Sequence, residues 1–130
     1  MSTERTDPAN KQPEAHQACV LLVEDDAIIA MLVEQILLDM GLRVLVVATL
    51  DNALIEVEMT GFDAAIIDMH LRGDPAERLA DALLLRKIPF MVLSGADQSG
   101  FRAAHPQITM LGKPFDKAEL EQCVRELLNG

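Results

Sequence analysis

The chain has 130 residues, half of them hydrophobic, and a formal net charge of −10 at pH 7. This length suits one domain with one core, and the negative charge argues against a nucleic-acid partner. No apolar run reaches the roughly 18 residues that a membrane span needs, and the sequence shows no signal peptide. We therefore expect a cytoplasmic protein that does not contact a membrane.

Neither the N-terminal segment nor the two cysteines indicate a catalytic or metal-binding site. Residues 1–17 are polar and show no hydrophobic periodicity, which predicts a disordered tail ahead of a domain at 18–130. Cys19 and Cys123 lie in apolar patterns far apart in the sequence, and neither belongs to a CxxC motif. We expect both to be free, part of the core, and held in a reducing compartment.

Five short apolar runs predict five buried strands, each followed by a helical pattern or a turn. Continuous apolar strands that alternate with amphipathic helices are typical of an α/β domain with a parallel sheet covered on both faces. Right-handed crossovers then favour a flavodoxin-like, doubly wound sheet with strand order 2-1-3-4-5. The predicted strands cover residues 18–23, 42–48, 64–68, 90–93 and 108–111.

The first two helices have recognisable ends. Asp26 suits the N-cap of the first helix and Gly41 its C′ position, while Thr49 suits the N-cap of a second helix that Gly61 closes. Apolar residues recur with a helical period along the first helix, which predicts one buried face. That face comprises Ile29, Leu32, Val33, Ile36, Leu37 and Met40.

The remaining helices differ in the strength of their signals. Residues 74–77 read Asp-Pro-Ala-Glu, which predicts a third helix with Asp74 as its N-cap. Residues 96–107 contain glycine and proline and show only a weak pattern, so we expect the fourth helix to be short or irregular. Asp116 and Glu119 predict a capping box at the start of the last helix.

Polar residues follow the predicted strands at the points where they end. Strand one is followed by Glu24 and Asp25, strand three ends at Asp68, strand four ends at Ser94, and strand five is followed by Lys113. In the predicted order, strands one and three are neighbours, so the three carboxylates should converge. Two unit charges about 4 Å apart repel by roughly 4 kcal/mol at an effective dielectric constant of about 20. A divalent cation relieves this repulsion, and oxygen-only ligands suit Mg²⁺.

The residues opposite the acids suit a phosphoryl group. The ammonium of Lys113 supplies a positive charge for a phosphoryl oxygen, and the hydroxyl of Ser94 supplies a hydrogen-bond donor. A carboxylate such as that of Asp68, beside Mg²⁺ and a lysine, is a plausible nucleophile for phosphoryl transfer.

Four motifs in this order make the stretch from Cys19 to Leu128 resemble a response-regulator receiver domain of bacterial two-component signalling. The motifs are Val-Leu-Leu-Val-Glu24-Asp25-Asp26, Ile-Ile-Asp68-Met, Val-Leu-Ser94-Gly and Leu-Gly-Lys113-Pro114-Phe115. The resemblance implies that Asp68 accepts a phosphoryl group from a histidine kinase or a histidine phosphotransferase. It also implies that Mg²⁺ or Mn²⁺ binds Glu24, Asp25, Asp68 and the backbone carbonyl of His70, that Ser94, Lys113 and the backbone of Met69 bind the phosphoryl group, and that the Lys113–Pro114 peptide is cis.

Residues 86–95 and 111–115 further resemble the stand-alone receivers nicknamed "FAT GUY", in which the fourth helix is short or replaced by a loop. Their strand-four motif usually has threonine, glycine and an aromatic residue, whereas this chain has serine, glycine and alanine at 94–96. Many receivers place tyrosine or phenylalanine three residues before the lysine, where this chain has Met110. We therefore expect a signal to leave through residues 95–107 rather than through an aromatic switch.

This interpretation makes the chain a single-domain regulator that acts by protein contact on a downstream protein, as a monomer or weak dimer, without a dedicated catalytic output. A degenerate receiver that binds partners without phosphorylation is the main alternative. A Mg²⁺-dependent phosphohydrolase would need a second aspartate where His70 stands. A flavin-nucleotide module would need a phosphate-binding loop where the acidic residues 24–26 stand.

Overall fold

The computed structural model describes residues 17–71, 74–95 and 99–130. The predicted disordered tail lies outside these residues except for Gln17, whose Nε2 donates a hydrogen bond to the carbonyl of Gly41 at 2.6 Å. Residues 96–98, for which the sequence predicts part of a short or irregular fourth helix, also lie outside the described residues. Among the described residues, no helix combines the length and the apolar character needed to cross a lipid bilayer.

One parallel sheet of five strands organises the chain. Its strands are β1 (Cys19–Val23), β2 (Arg43–Val47), β3 (Ala64–Asp68), β4 (Phe90–Ser94) and β5 (Thr109–Gly112). Their spatial order is β2-β1-β3-β4-β5, which confirms the flavodoxin-like prediction. Val23 lies beside Ile67 in the pairing of β1 with β3, so the residues that follow them, Glu24 and Asp68, reach the same edge of the sheet.

Five helices connect or follow the strands, and most of their caps match the sequence signals. Asp26 caps the first helix by accepting hydrogen bonds from the amides of Ile28 and Ile29, and Gly41 follows this helix with a φ of +85°. Asp116 forms the predicted capping box of the last helix. The helices are α1 (Ala27–Asp39), α2 (Leu50–Met59), α3 (Glu77–Leu85), α4 (Ser99–Ala104) and α5 (Lys117–Asn129).

The sheet separates two layers of core. One layer joins one face of the sheet to α2, α3 and α4, and the other joins the opposite face to α1 and α5. Strands β3 and β4 are buried along their whole length, which explains why their sequences are apolar without alternation. In β3, Ile66 packs in the α1–α5 layer and Ile67 in the α2–α4 layer.

The buried face of α1 is narrower than its sequence pattern predicts. Val33, Ile36 and Leu37 are buried as expected, but Leu32 is 54% exposed. The contact with the sheet covers only part of the apolar arc, so a residue at the margin of that arc faces outward. The prediction that Leu32 belongs to the core is therefore wrong.

Neighbouring substitutions in α1 should separate these two environments. Val33→Ala is expected to lower the free energy of unfolding by about 2 kcal/mol, because it leaves a cavity at a fully buried site. Leu32→Ala should change the free energy of unfolding by about 0.5 kcal/mol or less, because most of that side chain already contacts water. Urea denaturation followed by circular dichroism measures both values, and equal losses would contradict the burial seen here.

The start of α3 also differs from the prediction. The helix begins at Glu77, and its N-cap position is Ala76, which makes no side-chain capping hydrogen bond. Asp74, which the sequence predicts as the N-cap, instead lies in a two-residue strand that pairs antiparallel with the residues after Met69. The amide of Ala76 donates to the carbonyl of Met69 at 3.2 Å and holds this small ladder together. The N-cap position of α3 therefore lies two residues later than the sequence predicts, directly after this antiparallel pair.

Candidate functional site

Three acidic side chains converge at the edge of the sheet where the strands end. Glu24 and Asp25 follow β1 directly, and Asp68 is the last residue of the neighbouring strand β3. One carboxylate oxygen from each of the three lies within 4.8 Å of the others. Glu24 and Asp68 are buried, at 2% and 7% exposure, while Asp25 is half-buried. The structure thus brings the predicted acids together.

Glu24 is the most constrained of these acids. Its Oε2 accepts a hydrogen bond from the amide of Asp26 at 3.1 Å, whereas its buried Oε1 accepts none from any residue that the structure describes. Burial raises the pKa of Glu24; the Asp26 amide lowers it, the charge of Asp68 raises it and Lys113 lowers it, with a net increase. A buried oxygen with an unfilled acceptor position is a ready ligand for a cation.

Lys113 faces the acids from the end of β5. Its Nζ lies 3.2 Å from Oε1 of Glu24 and 3.3 Å from Oδ1 of Asp68. The contact with Glu24 is an ion pair without a well-directed hydrogen bond, whereas Nζ donates a hydrogen bond to Asp68. Burial alone would lower the pKa of Lys113, but the charges of Asp68 and Glu24 outweigh it and the pKa is raised. The ammonium therefore stays charged beside the acids.

The backbone near Lys113 fixes its position. Its amide donates to the carbonyl of Ser94 at 2.8 Å, and the peptide bond between Lys113 and Pro114 is cis. Ser94 ends β4 with 8% exposure and pairs in register with Gly112. The sheet thus places the predicted hydroxyl and ammonium at adjacent strand ends, on the same edge as the acids.

The backbone after Asp68 is already engaged. The amide of Met69 donates to the carbonyl of Leu93 at 3.0 Å, and its carbonyl accepts from Ala76. A contact between the Met69 backbone and a phosphoryl group stays a prediction. The backbone of His70 follows directly and pairs with Pro75, and the side chain of His70 lies outside the described part of the structure.

Met110 occupies the predicted aromatic-switch position in β5. It lies opposite Val92 and is partly buried against the core layer that also contains Phe101 of α4. The thioether therefore fills space between β5 and the α4 side of the domain, where a larger aromatic side chain would need room to move.

A cavity beside Lys113 was not predicted from the sequence. It measures about 380 Å³, and its wall includes the side chain of Lys113 and the outward-facing Leu32. The sequence gives no signal for it because the lining comes from three distant segments that only the fold brings together. The lining residues are Ile29, Leu32, Gly95, Lys113, Pro114 and Phe115.

The donor atoms fit a hard divalent cation. All three acidic side chains offer carboxylate oxygens, Oε1 of Glu24 lacks a hydrogen bond from any described residue, and the Lys113 ammonium lies beside two of the acids. Oxygen ligands with room for water are typical of Mg²⁺, and Mn²⁺ accepts the same set.

The fold of this chain resembles those of solved receiver-domain structures. No family model and no curated protein matches the sequence. A response regulator receiver protein from Sinorhizobium medicae is 25% identical over 89% of this chain and 98% of its own, with a TM-score of 0.82. SdrG from Sphingomonas melonis is 33% identical over 86% of this chain and 97% of its own, with a TM-score of 0.76.

A third structure resembles this one in fold. It is the receiver domain of a sensor histidine kinase from Pseudomonas aeruginosa, with a magnesium ion coordinated in its active-site cleft. It is 24% identical over 88% of this chain and all of its own, with a TM-score of 0.78. The strand order, the acids at the sheet edge and the match to receiver proteins agree, and the chain belongs to the response-regulator receiver domains.

Proposed function

We propose that this domain accepts a phosphoryl group on Asp68 from a histidine kinase or a histidine phosphotransferase. The observation that carries the proposal is the convergence of three carboxylates within 4.8 Å of one another, with the Lys113 ammonium beside two of them. Such a cluster is costly unless it holds a cation, and a bound cation together with the Lys113 ammonium can also attract a phosphoryl group. The magnesium ion reported in the cleft of the Pseudomonas receiver supports the same reading.

Each side chain has a role in the proposed transfer. An Oδ atom of Asp68 forms a bond to phosphorus while the bond from phosphorus to the imidazole nitrogen of the donor breaks. The Lys113 ammonium binds one phosphoryl oxygen, and the Ser94 hydroxyl donates a hydrogen bond to another. Glu24, Asp25, Asp68 and the carbonyl of His70 would hold Mg²⁺, which neutralises charge on the acids and on the phosphoryl oxygens when it is bound.

The output of the domain is proposed to be protein contact. The phosphorylated domain would act as a relay, a sink or an adaptor for a downstream protein, and it would lose the group slowly rather than catalyse a separate reaction. The segment at 95–107 is the proposed exit for the signal, because Met110 lacks the aromatic side chain of the usual switch. Its described part includes the short helix α4.

Intact-mass measurement tests the proposal directly. The protein is incubated with Mg²⁺ and either acetyl phosphate or phosphoramidate, and a parallel sample contains a chelator in place of the metal. We expect a gain of one phosphoryl group, about 80 Da, only with Mg²⁺. An unchanged mass with both donors, or an equal gain in chelator, would rule out the metal-dependent acceptor.

The hydroxyl at position 94 should set the rate of this reaction. Ser94→Ala is expected to slow phosphorylation by acetyl phosphate about tenfold to a hundredfold, because it removes one hydrogen bond to a charged oxygen. Ser94→Thr keeps the hydroxyl and should stay within a few-fold of wild type. The rates come from mass spectra taken over time, and equal slowing in both variants would point to packing rather than hydrogen bonding.

A receiver that signals without phosphorylation is the second candidate, and the methionine at 110 is the observation that favours it. Hydrogen exchange separates the two. A phosphorylation-dependent regulator should show altered amide exchange across residues 99–108 after phosphoryl gain. The alternative predicts the same exchange in this segment before and after.

A further inference from the structure

The helices expose two apolar surfaces. The first, on α1, consists of four residues that are 46% to 76% exposed: Ile28, Met31, Leu32 and Leu38. The second, here called the α2–α3 surface, consists of Ile55 and Met59 on α2 and Leu84 and Leu85 on α3. Exposed apolar clusters of this kind mark contact sites.

The α2–α3 surface is a property of the outer side of two packed helices. Ala53 and Val57 turn the opposite side of α2 toward the core, which leaves Ile55 and Met59 facing away from the sheet at 56% and 79% exposure. Leu85 faces away from the buried side of α3 in the same manner, at 83% exposure. Helices α2 and α3 pack side by side, and both return to the edge where the strands begin, which places their last turns at the same edge of the sheet.

The charges around the two surfaces differ. Helix α1 carries Glu34 and Asp39 and no basic residue, so a second copy would bring acid against acid there. The α2–α3 surface has charges of both signs. The acid Glu58 precedes Met59, the bases Arg86 and Lys87 directly follow Leu85, and the exposed acids Asp51 and Asp81 lie one turn before Ile55 and Leu85. Within the described residues, Glu58, Arg86 and Lys87 form no ion pair with another side chain.

We propose that the α2–α3 surface binds a second copy of this chain in an isologous dimer. A two-fold axis places α2 of one copy against α3 of the other, so Met59 meets Leu85 and Glu58 meets Arg86 or Lys87. Because of the two-fold symmetry each contact occurs two times, so pairs of opposite charge flank an apolar centre on both sides. This pairing matters in a chain of net charge −10, whose copies otherwise repel.

Sedimentation velocity of the full chain tests this dimer. Between about 5 and 500 µM protein, the wild type should shift from monomer toward dimer at moderate ionic strength. The pair Met59→Gln and Leu85→Gln should raise the dissociation constant at least tenfold without adding charge. The matched control, Ile28→Gln and Met31→Gln on α1, should leave it within about twofold.

Charge reversal tests the pairing itself. Glu58→Lys should weaken the dimer, and combining it with Arg86→Glu and Lys87→Glu should restore it to within a few-fold of wild type. A monomer at every concentration, or a dimer that the α1 control disrupts instead, would overturn the proposal. Failure to restore the dimer by the combined reversal would do the same. None of these outcomes alters phosphoryl gain at Asp68, which is measured separately.

Discussion

Replacing Asp68 by asparagine is expected to abolish phosphoryl gain from acetyl phosphate and Mg²⁺. Asp68 is the last residue of β3, and its Oδ1 lies 3.3 Å from the Nζ of Lys113. Oε2 of Glu24, by contrast, already accepts a hydrogen bond from the amide of Asp26. An amide keeps the shape of the side chain but loses the nucleophilic oxygen charge. Intact mass after incubation should therefore show only the unmodified Asp68→Asn protein.

A surface aspartate provides the matched control. Asp81 is exposed on α3, and Asp81→Asn should gain the phosphoryl group at the wild-type rate. Asp68→Asn should also unfold at no lower temperature than wild type, because the lost contact with Lys113 is offset by lost repulsion from Glu24. A phosphorylated Asp68→Asn protein would show that another residue is the acceptor.

Replacing Lys113 by methionine should affect both stability and transfer. Without the ammonium, Glu24 and Asp68 stay buried with no positive charge from this side chain, and the metal-free protein should lose about 2–4 kcal/mol of unfolding free energy. Phosphoryl transfer should slow about a hundredfold, because a fixed positive charge no longer meets the developing charge on the phosphoryl oxygens. Urea denaturation in chelator and mass spectra over time measure the two effects.

Lys117 gives the control for Lys113. It is largely exposed and pairs with Glu121 at 3.8 Å on the surface of α5. Lys117→Met should therefore change the unfolding free energy by about 0.5 kcal/mol or less and leave the transfer rate unchanged. Mg²⁺ should recover more stability in Lys113→Met than in wild type, since no ammonium then competes with the cation for the acids. If Lys113→Met and Lys117→Met changed the unfolding free energy and the transfer rate equally, the role of the Lys113 charge beside Glu24 and Asp68 would be contradicted.

The parts of the fold that the sequence predicts are those with local or periodic causes. Fully buried strands such as β3 need continuous apolar residues, and a helix cap such as Asp26 needs only its own neighbours. The convergence of Glu24 and Asp68 follows from the strand order and the direction of the parallel strands. Such features depend on few contacts between distant segments, so they can be predicted from the sequence.

The features that sequence reasoning missed depend on contacts between segments. Asp74 has the chemistry of an N-cap, but its backbone pairs with Leu71 and the N-cap position of α3 is Ala76. Leu32 fits the apolar period of α1 and yet faces a cavity whose other walls come from the loops after β4 and β5. The bond from the Met69 amide to Leu93 likewise depends on strand pairing that no local pattern shows.

Lys113 has one more consequence, which follows from its two kinds of attachment. Its main chain is tied to the last residue of β4, while its side chain reaches acids at the ends of β1 and β3. Lys113 is therefore in contact with residues at the ends of three strands and directly follows a fourth. A change of charge at Asp68 would change the electrostatic force on this ammonium, which belongs to the loop that enters α5 at the opposite margin of the sheet from β2.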